Sequence, residues 1–478
     1  MRRIESIVVF AALAFAGCAL NQPPPADELR SQALPHANAP AQWTAQGGAA
    51  AAVTDNWLAS FNDPVLDALV REAIEYNSDL RVAAARVEIA AGYVRLSGAT
   101  LYPQVNALAR GGGKMSGDSS GLQGGAVTAT WELDLWGRVR SLQRGAQLNY
   151  DAAALDAEFA RQSIAAQTAR AYFLATEAQL QLAIAKDTLL SSERLVGFAR
   201  DRLRVGKGDE YDVALGLASL DTYRDIIAQL ELARSQALRA LETLIGRYPA
   251  AAVATPAQFA AMPPPVPVGL PSELLERRPD VIAAERRVAA LFYGVEEAKA
   301  ARLPRISLTA SLTSISSDLF VLQDRNNPVV SFGASLLAPI FLGGALQAQV
   351  DIRTGEQEQA VADYGRIALR AFGEVENTLS AGFALDERAN ILGSAITGNE
   401  RALELAQIRY RVGSGDLRAV NQQQLALYSA RSAQTHVEAD RRVQRVNLYL
   451  ALGGGFDAIA ASISKSAKAT ALDSGDSL

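Results

Sequence analysis

The feature that most limits how this chain folds is that it contains much of itself twice. Residues 77–87, NSDLRVAAARV, match residues 278–288, RPDVIAAERRV; the same offset of 201 lays Leu101, Tyr102, Pro103, Gln104 and Val105 over Arg302, Leu303, Pro304, Arg305 and Ile306. Farther on, LRVGKGDEYDV at 203–213 matches YRVGSGDLRAV at 410–420, and LETLIG ending at Gly246 falls over NLYLALG ending at Gly453, both at an offset of 207. Between these blocks Arg170, Ala171 and Tyr172 face Arg370, Ala371 and Phe372. One short match arises by chance, but several in one order mark a duplication. The connector holds Pro249, Pro256, Pro263, Pro264, Pro265 and Pro267, too many prolines for a helix or a central strand.

Each half reads as helix, strand, strand, long helix, helix. The first half predicts an alanine-rich helix over about 64–100, then strands at 105–110 and 126–134 around a glycine and serine loop. In the second half Ile306, Leu308, Ala310 and Leu312 alternate with Ser307, Thr309, Ser311 and Thr313, the period of a strand with one apolar and one wet face; its partner is expected at 329–337. No proline interrupts 137–205 or 345–412. Either each run is one helix of roughly 100 Å at 1.5 Å per residue, or each conceals a turn and forms two shorter bundle helices.

Four amphipathic strands cannot close a membrane barrel, since the smallest use about 8 and open edges in lipid leave backbone groups unpaired. Other copies must complete the sheet, and two, three or four chains would supply 8, 12 or 16 strands by this count alone.

Composition narrows the chemistry. The net charge of −5 offers no basic field to nucleic acid, and a single cysteine with two histidines, His36 and His436, leaves little for disulfides, metals or acid-base work. Gly111–Gly113 lacks the following Gly-Lys-Ser/Thr of a phosphate loop, and no local carboxylate pair suggests a hydrolase. The expectation is a protein that is not an enzyme and has no cofactor. At the amino end Arg2 and Arg3 precede an apolar stretch from Ile7 to Leu20, too short to span a bilayer and read as an export signal. Leu13 to Gly17 lead into Cys18, which resembles a bacterial lipoprotein signal with Phe15 where leucine is usual, so covalent lipid on Cys18 is expected. Ala19, in place of an inner-membrane retention aspartate, directs that anchor by the same resemblance to the outer membrane.

These blocks together resemble the TolC family of outer-membrane efflux channels, more closely its lipid-anchored, OprM-like factors. The resemblance covers about 57–453 and rests on the turn blocks at 204–209 and 411–416, the junctions at 101–103 and 303–304, WELDLWGR at 131–138 and APIFLGG at 338–344. It implies an α+β fold: a homotrimer whose four strands per chain make a 12-stranded barrel, continued by a long α-helical periplasmic tunnel. The implied partners are a periplasmic adaptor and an inner-membrane resistance-nodulation-division pump.

The expected organisation is a signal peptide at 1–17, an anchored arm at 18–56, repeats at 57–248 and 271–453 joined by the connector at 249–270, and a tail at 454–478. By resemblance the turns bearing Arg204, Gly206, Gly208, Asp209, Arg411, Gly413, Gly415 and Asp416 lie at the periplasmic tip and meet the adaptor. Three copies of Asp416, with Arg411 and Arg418 as bridging partners, would make a gate; simple capping and surface ion pairs are the alternative. Tyr102, Pro103, Trp131, Trp136, Pro304, Pro339 and Phe341 mark the barrel-to-tunnel junction, as packing residues or as interface aromatics. The expected function is a passive conduit for drugs or other small toxic compounds. Type I protein secretion, and less so a periplasmic adaptor or structural lipoprotein, are the competing readings.

Overall fold

The structure, a computed structural model, describes residues 20–37, 39–45, 53, 55–110, 123–316 and 329–457. The signal segment, Cys18, Gly111–Gly113 and most of the 454–478 tail lie outside the described residues.

In chain order the elements are α1 (Ala26–Ala33), α2 (Trp57–Ser60), α3 (Pro64–Tyr76), α4 (Ser78–Ala99), β1 (Gln104–Arg110), β2 (Gln123–Leu133), α5 (Arg138–Arg204) and α6 (Glu210–Leu244), then α7 (Pro271–Arg277), α8 (Pro279–Ala300), β3 (Arg305–Ser316), β4 (Val329–Leu337), α9 (Ala345–Arg411) and α10 (Leu417–Ala451). Neither long run conceals a turn: α5 and α9 each have 67 residues, and both their ends lie 207 apart. That fixes the register of the duplication. The match of 170–172 with 370–372 is therefore one heptad out, a slip of two turns that keeps apolar residues on nearly the same face.

The helix expected over 64–100 is instead two. Asn77 takes ψ 130° and ends α3, while its Oδ1 accepts from Asp79 N at 2.8 Å and so starts α4. Its counterpart Arg278 takes ψ 121° between α7 and α8 because Pro279 follows and disfavours the α region.

By compactness the chain divides into two units that each draw on both repeats: Met1–Asn38, Ala83–Asp156 and Asp280–Ile367 form one, and Ala39–Val82, Ala157–Pro279 and Ala368–Leu478 the other. The first unit carries an antiparallel sheet ordered β1-β2-β3-β4. Its register puts Val105, Val127, Ala129, Leu308, Ala310, Leu312, Val330 and Phe332 on one face, and Gln104, Asn106, Thr128, Thr130, Thr309, Ser311 and Ser331 on the other. Ser311 and Ser331 hydroxyls meet at 2.6 Å across the polar face. Among the described residues β1 and β4 are both unpaired along their outer edges, and all of β4 is exposed. Beside the sheet, Leu20 packs with Leu148, Ala290 and Tyr293 where α5 meets α8.

The second unit is an aromatic-pinned helix bundle. Trp57 stacks on Tyr449 with centroids 5.9 Å apart, and buried Tyr172 donates its hydroxyl to Asp63 at 2.6 Å. The connector is held by carboxylate and guanidinium groups rather than by a core of its own. Glu242 accepts from Ala251 N at 2.6 Å, Ala252 N at 2.5 Å and Val253 N at 3.1 Å. Arg442 donates to Ala260 O and lies 4.6 Å over the Phe259 ring, and Arg445 donates to the carbonyls of Pro263 and Pro264. The amino-terminal arm is fixed in like manner, since Glu376 accepts from Thr44 N and Ala45 N, both at 2.8 Å.

Candidate functional site

The two RVGxGD turns have the same backbone solution. Gly206 and Gly413 take φ +72° and +85°, the left-handed cap that ends a helix, and the next residue closes back onto it: Lys207 N donates to Arg202 O and Ser414 N to Arg409 O, both at 2.9 Å. Gly208 and Gly415 are glycines for a different reason, which is close approach. A Cβ on Gly208 would lie 2.6 Å from Leu203 N, and one on Gly415 3.0 Å from Arg409 Cβ. Asp209 then caps α6 by accepting from Tyr211 N at 3.0 Å, and Asp416 caps α10 by accepting from Ala419 N at 2.8 Å.

Within one chain these charges serve mainly as caps and short-range donors. Among the described residues Asp416 makes no ion pair; Arg411 donates weakly to Gln407 O at 3.4 Å, and Arg204 pairs with Asp201 at 2.8 Å. Arg418 donates to Tyr211 Oη at 3.1 Å and lies 5.8 Å over its ring. Tyr211 and Arg418 are the same repeat position, so the duplicated hairpins meet at their own equivalent residue.

Beneath the turns lies a contact that local sequence patterns do not reveal. Tyr410, 1% exposed, packs with Ala199, Leu417 and Val420 and donates its hydroxyl to Asp212 at 3.0 Å. Arg202 sits 4.7 Å over its ring and donates to Tyr410 O at 2.6 Å and Lys207 O at 3.0 Å. Burial, with the Asp212 carboxylate adding to it, pushes the Tyr410 phenol up to about 12, so it stays a donor at every physiological pH.

At the junctions β1 begins immediately after Pro103 and β3 immediately after Pro304. Two indoles tie these corners to the following strand-helix passage: Trp131 Nε1 donates to Leu101 O at 2.9 Å and Trp136 Nε1 to Pro304 O at 2.7 Å. Arg138 bridges Glu132 at 2.9 Å and Glu297 at 3.3 Å, while Asp134 accepts from Val139 N and Arg140 N at 2.9 Å and so caps α5. Gly137 and Gly344 both take positive φ just before the long helices. Tyr102 and Phe341 stay exposed at 70% and 85%, Pro103 is exposed and Pro339 half-buried, with none of them drawn into this network.

Among the described residues no group of three or more His, Cys, Asp or Glu side chains is arranged to hold a metal ion, and no helix is long and apolar enough to cross a membrane.

The chain resembles several known channels over nearly its whole length. It is 31% identical to the pyoverdine export outer membrane protein OpmQ of Pseudomonas aeruginosa over 438 residues, covering 87% of this chain and 91% of that one. It is also 31% identical to the antibiotic efflux pump outer membrane protein ArpC of Pseudomonas putida over 476 residues, 95% and 96% of the two chains. The solved outer-membrane channel OprN superposes with a TM-score of 0.79 at 28% identity, covering 88% of this chain and 99% of OprN. The model of the family described as outer membrane efflux protein matches residues 69–247 and 270–454, one segment for each repeat. With four strands, two unbroken 67-residue helices and these matches, the chain belongs to the outer membrane efflux protein family.

Proposed function

We propose that this protein is the outer-membrane channel of a tripartite efflux system, passing drugs or other small toxic compounds from a resistance-nodulation-division pump and periplasmic adaptor to the cell exterior. The observation that carries the reading is the sheet: one face apolar, the other mostly Ser, Thr, Asn and Gln with Leu108, Val329 and Leu337 among them, and both edges open among the described residues. Because β1 and β4 run in opposite directions, β4 of one copy continues antiparallel onto β1 of the next, and a closed ring leaves no edge in lipid. A homotrimer gives a 12-strand wall with a wet lumen.

Helix α4 supports the same assembly. Its duplicate α8 buries Val281, Val288, Ala290 and Tyr293, whereas α4 exposes Val82, Ile89, Tyr93 and Leu96. A face of that size left to water implies a protein neighbour. The RVGxGD turns, including Asp209, Asp416 and Arg418, are the proposed periplasmic tip, adaptor contact and gate. Lipid on Cys18, as in OprM-like members, agrees with the place of Leu20, two residues on: a Cβ on Gly137 would meet its Cδ2 at 2.6 Å, just where β2 gives way to α5. We assign the sequence ranges 1–17, 18–56, 57–248, 249–270, 271–453 and 454–478 to signal, arm, repeat, connector, repeat and tail.

The test is purification from outer membranes followed by planar-bilayer recording. Discrete conductance steps from a particle of three chains are expected; a protein that crosslinks in cells to an ATP-driven transporter redirects the reading to protein secretion, and one without conductance removes it. Intact-mass measurement of the Cys18→Ser variant against the parent checks the lipid.

A further inference from the structure

Inside one chain, α5 meets α10 through four polar contacts. Arg170 Nη1 donates to Asn447 Oδ1 at 2.8 Å, and Glu177 Oε1 lies 2.8 Å from His436 Nδ1. Gln181 Nε2 donates to Ser432 O at 2.9 Å and its Oε1 accepts from Ser432 Oγ at 2.7 Å; Gln424 Nε2 donates to Thr188 O at 3.1 Å. Of these eight residues only His436 is exposed.

The repeat counterparts of this seam lie on α9 and α6. At the 207-residue offset fixed by the helix ends, the four contacts become Asn377 with Ala240, Ala384 with Gln229, Arg388 with Asp225 and Ala395 with Leu217. All are exposed except Ala395, which is half-buried, and Ile391 beside Arg388 is 59% exposed. The duplication has thus made one closed seam and left its twin open.

Charge identifies what covers the open twin. Several exposed ions on these helices find a partner three residues away, as in Asp201 with Arg204, Asp221 with Arg224 and Arg401 with Glu404. Arg388 has no acid, and Asp225 no base, three or four positions away. Among the described residues Arg388 makes no ion pair, and the Asp225 carboxylate accepts only from Gln229 Nε2 at 2.6 Å. Opposite unspent charges therefore stand at the one pair of positions where the closed seam has its double hydrogen bond.

We infer that α9 of one copy docks on α6 of a second copy in the register of the α5–α10 seam, with Arg388 paired to Asp225 of the partner subunit. This rests on the homo-oligomer proposed above and adds to it the two faces, their register and an ionic link. It also makes this one position unequal between the seams: Gln181 and Ser432 join within the chain through neutral groups, while Arg388 and Asp225 join copies through charge, so salt acts on this contact between subunits and not on its intrachain twin.

Charge reversal in the full-length protein in detergent tests this, with far-UV circular dichroism confirming the helix content of each variant. Arg388→Asp and Asp225→Arg each speed dissociation of the oligomer about fivefold in 0.1 M salt, the effect of one partly exposed ion pair. The double reversal restores the parental rate, and 1 M salt removes the difference by screening both the parental attraction and the like-charge repulsion in the single variants. Single variants that dissociate like the parent, or a double variant no better than the worse single, overturn the pairing while the oligomer stands. A parent that is monomeric by native mass spectrometry removes the oligomer reading itself and the pairing with it.

Discussion

The side-chain amide of Asn77 donates to the carbonyl of Leu244 at 2.8 Å, and thereby locks the break between α3 and α4 to the end of α6. The duplicate repeats the relationship with a different side chain. Arg278, 1% exposed, reaches the carbonyl of Ala451, the repeat position of Leu244, at 3.4 Å, and spends a further donor on Glu374 at 2.5 Å. A short amide and a long guanidinium satisfy the same helix end.

Asn77 serves as cap and tie at once, since its Oδ1 accepts from Asp79 N and Leu80 N while its Nδ2 holds Leu244 O. Asn77→Ala is expected to cost about 1–2 kcal/mol, the upper range for a lost amino-terminal cap. Asn77→Asp keeps the cap but loses the donor to Leu244 and should fall between. Thermal unfolding in detergent ranks the three.

The turn glycines predict an order of damage. Gly208→Ala drives a Cβ to 2.6 Å from Leu203 N and 2.9 Å from the Arg202 carbonyl carbon, whereas Gly415→Ala meets the Arg409 Cβ at 3.0 Å. A Cβ is held in place by its backbone, so neither neighbour can step aside and the closer approach decides: the first should cost about 2 kcal/mol and the second about half of that. Hydrogen exchange over 200–212 and 407–419 reads each turn locally, and equal losses would contradict the ranking.

Opening of the proposed gate is expected when the cross-repeat tie at the RVGxGD turns is cut. Arg418→Ala removes the contact with Tyr211 at 3.1 Å while leaving the Asp416 cap in place. Together with Asp416→Asn it should raise single-channel conductance. Unchanged conductance from intact oligomers would count against a gating role for these charges.

Acid should release the connector and the arm before it unfolds the helices. Burial pushes the carboxyls of Glu242 and Glu376 up, but the backbone amides of Ala251, Ala252 and Val253, and of Thr44 and Ala45, outweigh it and hold both below the ordinary 4.5. Groups lowered on folding stabilise fully above that ordinary value, and their contribution is lost as pH falls through the lowered one. Cleavage by an acid-stable protease at 249–253 should rise as pH falls below the ordinary carboxyl range. Glu242→Gln should show the raised cleavage already at neutral pH, with a flatter acid limb.

Much of this fold was legible because its signals are local. The absence of proline from 137–205 and 345–412 predicted the long helices, and the alternation from Ile306 to Thr313 gave β3 and both its faces. The break at Asn77 was missed because no proline follows it, although Asn-Ser-Asp is a capping signal; at Arg278 the warning was Pro279 itself. The RVGxGD segments were legible as turns but not as a set of contacts. Tyr410 meets Asp212 and Arg202 across some two hundred residues, and nothing in YRVG distinguishes a buried tyrosine from an exposed one. Only the repeat offset, which sets Arg418 over Tyr211, could have named one such pair in advance.

The change of offset from 201 to 207 also shows where this architecture tolerates insertion and deletion. Between the paired short helices and the paired long ones, the second copy is six residues longer, and all six fall within the strand hairpin and its exit, because α5 and α9 match residue for residue in length, as do α6 and α10. One residue added inside such a helix rotates everything beyond it by about 100° and turns a packed stripe toward water. A hairpin takes the same addition at its loop without turning any face. Evolutionary freedom in length therefore belongs to the strand end of the molecule, while the helices are held to a fixed phase.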